Sequence, residues 1–138
     1  MNDEKPLSAS ARWLEGYQVV VRAGTHSWVA DEPERLGGDG LGPNPFEQLL
    51  GAFASCLTIT VAHFAGQAKV PLAGLWAEVQ GRWDKRGEKP RYKVAAELKA
   101  RGDLDEKAMK RLERYAERCP IHGILSQGAD VSVSVSKV

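Results

Sequence analysis

The sequence predicts an antiparallel α+β fold, on three observations. GLWAEVQGRWD (74–84) and RYKVAAELKA (91–100) carry clear strand patterning on either side of a polar tip, DKRGEKP. The stretch from Pro45 to about Gly66 is almost all apolar or small and reads as a buried helix. One amphipathic helix follows, and so few helices cannot cover both faces of a parallel sheet.

Taken in order, YQVVVR (17–22) and HSWVAD (26–31) read as strands around Ala23-Gly24-Thr25, a hairpin that a third strand before it can extend. EPERLGGDGLGPN is dense in glycine and proline and has neither helical nor strand period, so it reads as a loop. Asn44 then offers an N-cap, Pro45 suits the first helical position, and Glu47 falls three residues after the cap, where its carboxylate can reach back to a backbone N–H. Lys69-Val70-Pro71 ends the helical unit. In 91–100, Tyr92, Val94, Ala96 and Leu98 alternate with Arg91, Lys93, Glu97 and Lys99, apart from a small Ala95, so one face is buried and the other wet. In GDLDEKAMKRLERYAERCP, Asp103 is the expected cap with Glu106 three residues on. Ala108, Leu112, Tyr115 and Cys119 make one apolar stripe, and Pro120 should end that helix or start a new turn. PIHGILSQG fits a short helical turn, and DVSVSVSKV alternates strictly enough for a final strand.

The 138 residues suit one domain, 1–138, with a real core. A net charge of +1 with mixed signs leaves no basic footprint for nucleic acid or an anionic membrane. MNDEKPLSAS lacks the basic-then-apolar pattern of a signal peptide, and the apolar run at 49–65 is short and rich in Gly, Ala, Ser and Thr, so a cytoplasmic protein with no membrane span is expected. GGDGLGP matches no phosphate-cradling pattern between a strand and a helix, so no nucleotide is implied.

Cys56 and Cys119 are the only cysteines and form no CxxC pair. In a reducing compartment they are either two inert buried thiols or a pair that cycles between thiol and disulfide. On pattern alone the inert reading is favoured, because free cysteine behaves as a small hydrophobe. A reactive thiol needs a nearby cation, and Cys56 lies too far into its helix to use the N-terminal dipole. Arg22 or Arg12 could supply that cation, with Glu47 as the carboxylate that holds a guanidinium in place. His26, His63 and His122 accompany the thiols, but a lone C-x-x-H lacks the second close pair of a zinc site, so no metal is expected.

GPNPFEQLLGAFASC, followed about sixty residues later by CPIHGIL and a closing strand, resembles the OsmC/Ohr family of thiol-dependent peroxidases. GTHSWVADEPERLGGDGLGP and the strand–helix–strand–strand–helix–strand order match as well, so the resemblance spans essentially the whole chain. DEPERLGG and His122 resemble the OsmC-like branch more than the dedicated hydroperoxide reductases. The resemblance implies antiparallel sheets wrapped around central helices in an intertwined homodimer. It also implies that Cys56 attacks an organic hydroperoxide, that Cys119 resolves the sulfenic acid as a disulfide, and that Arg22 (ahead of Arg12) and Glu47 assist. An external dithiol or lipoylated protein would restore the thiols, with no bound cofactor. The alternative is a non-catalytic dimeric small-molecule-binding or redox-sensing protein with structural cysteines.

Helix geometry adds a constraint. Glu47 and Cys56 are nine residues apart, hence on opposite faces and roughly 13 Å apart along the axis. If both serve one site, Glu47 must come from a second copy, which also accounts for a small-residue helix with no polar face.

Overall fold

The computed structural model describes residues 5–138, so the first four residues of MNDEKPLSAS lie outside the description. It has the expected antiparallel α+β class and divides into two compact units, 1–49 and 50–138.

In the first unit, strands β1 (Ala9–Glu15), β2 (Gln18–Ala23) and β3 (His26–Ala30) form one antiparallel sheet in that order. β1 is the optional third strand of the sequence reading. Gly16 and Gly24 turn the two hairpins at φ +53° and +59°, a region open to glycine at no steric cost. Beyond β3, the Gly/Pro-rich stretch is an ordered loop with one 3-10 turn, Glu34–Leu36. Asp31, 2% exposed, organises it: its carboxylate accepts the backbone N–H groups of Glu32, Asp39 and Leu41 at 2.8, 3.2 and 3.2 Å. Burial alone would raise the Asp31 pKa, but the three N–H bonds outweigh it and hold the carboxyl below its ordinary value. The loop closes so tightly that a Cβ on Gly42 would collide with the Val29 carbonyl, and one on Gly38 with that of Glu32.

Helix α1 (Pro45–Gln67) starts with the expected reciprocal cap: Glu47 N–H donates to Asn44 Oδ1 at 2.8 Å, and Asn44 N–H to Glu47 Oε1 at 3.0 Å. It is long and apolar enough to cross a membrane by length and composition. Within the single chain it is buried along one side only. Phe53, Leu57, Val61 and Ala65 form a single buried i, i+4 stripe, while Ala52, Ser55, Ile59, Ala62 and Gly66 are exposed on another face. A single chain of this size has too few other elements to cover a helix all round.

In the second unit, β4 (Leu72–Asp84) and β5 (Arg91–Gly102) form a long antiparallel ribbon with Val79 opposite Ala96 and Ala77 opposite Leu98. The helices are α2 (Glu106–Ala116) and α3 (Pro120–Gln127). Val61, Ala65 and Leu112 nucleate one core cluster, which Leu72, Leu75 and Leu98 complete. Phe53, Leu57 and Cys119 nucleate the other, against Ala77, Val79 and Val94. Fully burying a side chain such as Leu57 is worth about 1.5–3 kcal/mol.

Three details depart from the sequence reading. The cap of α2 is Asp105, which accepts the Ala108 N–H at 2.8 Å, and not Asp103. Asp103 is taken up in the bend that follows β5, with Leu104 N–H on the Gly102 carbonyl, as Leu104 docks on the core. α2 stops at Ala116, so Cys119 is the N-cap of α3 with Pro120 at its first position, although the apolar stripe still points inward. DVSVSVSKV forms no strand: Val131, Val133 and Val135 are 80–96% exposed. Alternation fits a segment for pairing, but a strand exists only where a second backbone supplies the hydrogen bonds.

Candidate active site

Helix α1 places Cys56 beside the buried stripe, next to Leu57 and three residues after Phe53, so its thiol is half-buried at the edge of the core. Cys119 is 2% exposed, held between α2 and α3: its N–H donates to the Ala116 carbonyl at 3.2 Å, and its carbonyl accepts the Gly123 N–H at 3.3 Å. These two elements bring the thiols together. Both are reduced, and Cys56 packs against the core cluster that holds Cys119, so the two thiols act on each other's electrostatics.

The electrostatics of Cys119 have distinct causes. Burial pushes its pKa up most, and the Cys56 thiol and negative charge on Cys56 push it further. The backbone N–H groups of His122 and Ile121, at the open start of α3, pull it down without reversing the rise. Cys119 is therefore held as a thiol beside the neighbouring sulfur. A protonated thiol beside a more accessible one can donate a hydrogen bond to a thiolate and later join it in a disulfide.

Two further side chains frame the pair, and the sequence reading did not assign either to it. Thr60 Oγ1 lies 3.9 Å from Cys56 Sγ, one turn along α1; the i, i+4 spacing of a hydroxyl and a thiol was the available signal. The exposed His122 ring stacks on Phe53, centroids 6.2 Å apart and planes at 18°. His63 instead is exposed and meets Phe64 edge-on at 5.1 Å. Among the described residues no three His, Cys, Asp or Glu side chains converge in a set that could hold a metal ion.

The remaining candidates lie in the first unit. Arg22 is exposed on β2, opposite Ser10 and Ser27, and makes no ion pair among the described residues. Arg12, opposite Val20, is exposed on the same face of the same sheet, because residues two apart along β2 share a face. Glu47 is exposed and spends only Oε1 on its cap.

The family model described as OsmC-like protein matches residues 37–134, a span that contains both cysteines. No curated protein matches the chain. Among solved structures, an OsmC-like protein from Mycoplasma pneumoniae superposes with a TM-score of 0.76 at 20% identity, over 91% of this chain and 90% of the other. An organic hydroperoxide resistance protein OsmC from Legionella pneumophila gives 0.69 at 23% identity, over 89% and 91%. One from Elizabethkingia anophelis, with thiocyanate bound, gives 0.69 at 18% identity, over 90% and 91%. At such identities the likeness establishes the fold.

Proposed function

The chain belongs to the OsmC-like family, and from that premise we propose that it is a thiol-dependent peroxidase that reduces organic hydroperoxides. The observation that carries this reading is the packed thiol pair, half-exposed Cys56 against a Cys119 held protonated. The Cys56 thiolate attacks the terminal oxygen of the hydroperoxide, the O–O bond breaks, and the departing alkoxide takes a proton and leaves as an alcohol. Cys56 becomes a sulfenic acid. The Cys119 sulfur then attacks the Cys56 sulfur, water leaves, and a Cys56–Cys119 disulfide forms. An external dithiol, such as a lipoyl group, takes the oxidising equivalents away.

Arg22 stabilises the Cys56 thiolate and orients the peroxide, and Glu47 of the partner subunit holds that guanidinium. Two features support the homodimer this requires. The exposed seam of Ala52, Ser55, Ile59, Ala62 and Gly66 is small and apolar, and the one hydroxyl on it is turned back onto the Ala52 carbonyl at 2.9 Å. Ile59 alone is 68% exposed on that seam. Apolar walls around Cys56 favour hydrophobic hydroperoxides over hydrogen peroxide, in a cytoplasmic setting that keeps the resting thiols reduced.

Thiol titration tests the reading. Cumene hydroperoxide should consume both thiols together, with release of cumyl alcohol, and dithiothreitol should restore both. If the thiols survive while the peroxide persists, the protein is a binding or structural dimer and the peroxidase reading fails.

A further inference from the structure

The two sulfurs differ in a way that bears on how the oxidised protein returns to its thiol form. Cys119 is 2% exposed, enclosed by Phe53, Leu57 and the ends of α2 and α3. Cys56 is half-buried, on the border between the buried stripe and the exposed seam of α1. A thiolate must approach a disulfide along the S–S axis, so the attacked sulfur has to be open on the side away from its partner. The far side of Cys119 is the core. The far side of Cys56 is the side from which, on the peroxidase reading, a hydroperoxide has already reached it.

The backbone makes the same distinction. The Ile121 and His122 N–H groups have no partner within the first turn of α3; they lie just after Cys119, the N-cap of that helix, and favour negative charge there. They can receive negative charge on Cys119 as the S–S bond breaks. Cys56 sits mid-helix, where every neighbouring N–H is engaged in the α1 ladder, so it has no such backbone support. The features that raise Cys119 through Cys56 also lapse at that moment, because Cys56 is then bound to the incoming sulfur and carries no charge.

We propose that the external reductant attacks Sγ of Cys56, and that Cys119 is the leaving group, received by the N–H groups at the start of α3. This rests on the peroxidase reading and specifies the reductant's point of entry. In the first step a thiolate of the external dithiol bonds to the Cys56 sulfur, the Cys56–Cys119 bond breaks, and Cys119 departs as a thiolate that takes up a proton. In the second step the other thiol of the reductant attacks its own sulfur in the mixed disulfide. The reductant leaves as a cyclic disulfide, and Cys56 is released as a thiolate. Two electrons pass from the dithiol to the protein disulfide.

The test uses the full wild-type chain and N-acetylcysteine, a monothiol that stops at the mixed disulfide. The protein is oxidised with cumene hydroperoxide, and loss of both thiols with loss of two hydrogens in mass reports the disulfide. If the hydroperoxide does not form it, the peroxidase reading fails; diamide then supplies the disulfide, and the point of attack is measured all the same. A brief N-acetylcysteine pulse, acid quench and alkylation follow, with peptide mass spectrometry of the Cys56 and Cys119 peptides, which trypsin separates at Lys69 and Arg118. The expected result is the adduct on Cys56 and the alkyl group on Cys119, in about tenfold or greater excess over the reverse. Equal amounts, an excess on Cys119, or no intramolecular disulfide even with diamide overturns the proposal.

Discussion

Asn44 and Glu47 bond to each other twice at the start of α1, each backbone N–H donating to the other's side chain, at 2.8 and 3.0 Å. Glu47 is thus a helix cap before it is anything else, and a simple deletion would confound two roles. Glu47→Gln retains an acceptor at the capping position and removes the charge, whereas Asn44→Ala removes the cap and keeps the charge. Asn44→Ala should cost about 0.5–2 kcal/mol of stability with its peroxidase rate per folded molecule unchanged. Glu47→Gln should melt close to wild type yet turn over slowly. Paired thermal melts and initial rates decide this; a Glu47→Gln rate equal to wild type would leave Glu47 as a cap alone.

Asp31 makes loop stability depend on acid. Its folded pKa lies below the unfolded one, because the Glu32, Asp39 and Leu41 N–H groups bind the charged form more strongly than burial opposes it. Its contribution is therefore fully present above the unfolded value, near 3.9, and is lost as pH falls through the lower folded value. Urea midpoints should drop for the wild type between pH 5 and pH 3. Asp31→Asn should start lower at pH 7 and lose less over the same interval.

The cysteines should separate by step. Cys56→Ser should abolish peroxide turnover. Cys119→Ser should complete one attack and then pass to sulfinic acid with further peroxide, because the sulfenic acid has no resolving partner. Intact mass after graded peroxide addition reads both, and half the wild-type rate in Cys56→Ser would refute the mechanism.

Subunit mixing addresses the origin of Glu47. In a heterodimer of Cys56→Ser and Glu47→Ala chains, one site pairs the intact Cys56 with the intact Glu47 of the partner subunit. That site should work at the full rate. A mixture as slow as the Glu47→Ala homodimer, despite proven exchange, would place Glu47 outside the partner's site.

What the sequence disclosed and what it withheld follow from the range of the forces involved. The β4–β5 ribbon was legible because period-two burial is written into successive residues, and the Asn44–Glu47 cap because both bonds span three positions. The cap of α2 was misplaced because Asp103 with Glu106 is the better local box, whereas Asp105 prevails only once Leu104 docks on a distant core. The inward direction of Cys119 was correct although its helix was not, since the stripe continues through the turn after Ala116. The Val-Ser alternation of 131–136 encodes one half of a ladder and nothing about where the other half lies. The Thr60 contact and the Phe53–His122 stack were not foreseen, because a contact to sulfur or a ring stack leaves no periodic trace.

The short joint between α2 and α3 has a mechanical consequence. Cys119 belongs to neither helix, and three N–H groups tie the joint to the end of α2: Glu117 to the Glu113 carbonyl, Arg118 to Tyr115 and Cys119 to Ala116. Drawing its sulfur onto Cys56 can therefore be absorbed by torsions at Glu117–Cys119, as slack in a coupling, while both helices keep their ladders. Oxidised and reduced protein should give superimposable far-ultraviolet circular dichroism, with hydrogen exchange changing chiefly across 117–123. The joint lets a bond form and break at every turnover with no helix unwound.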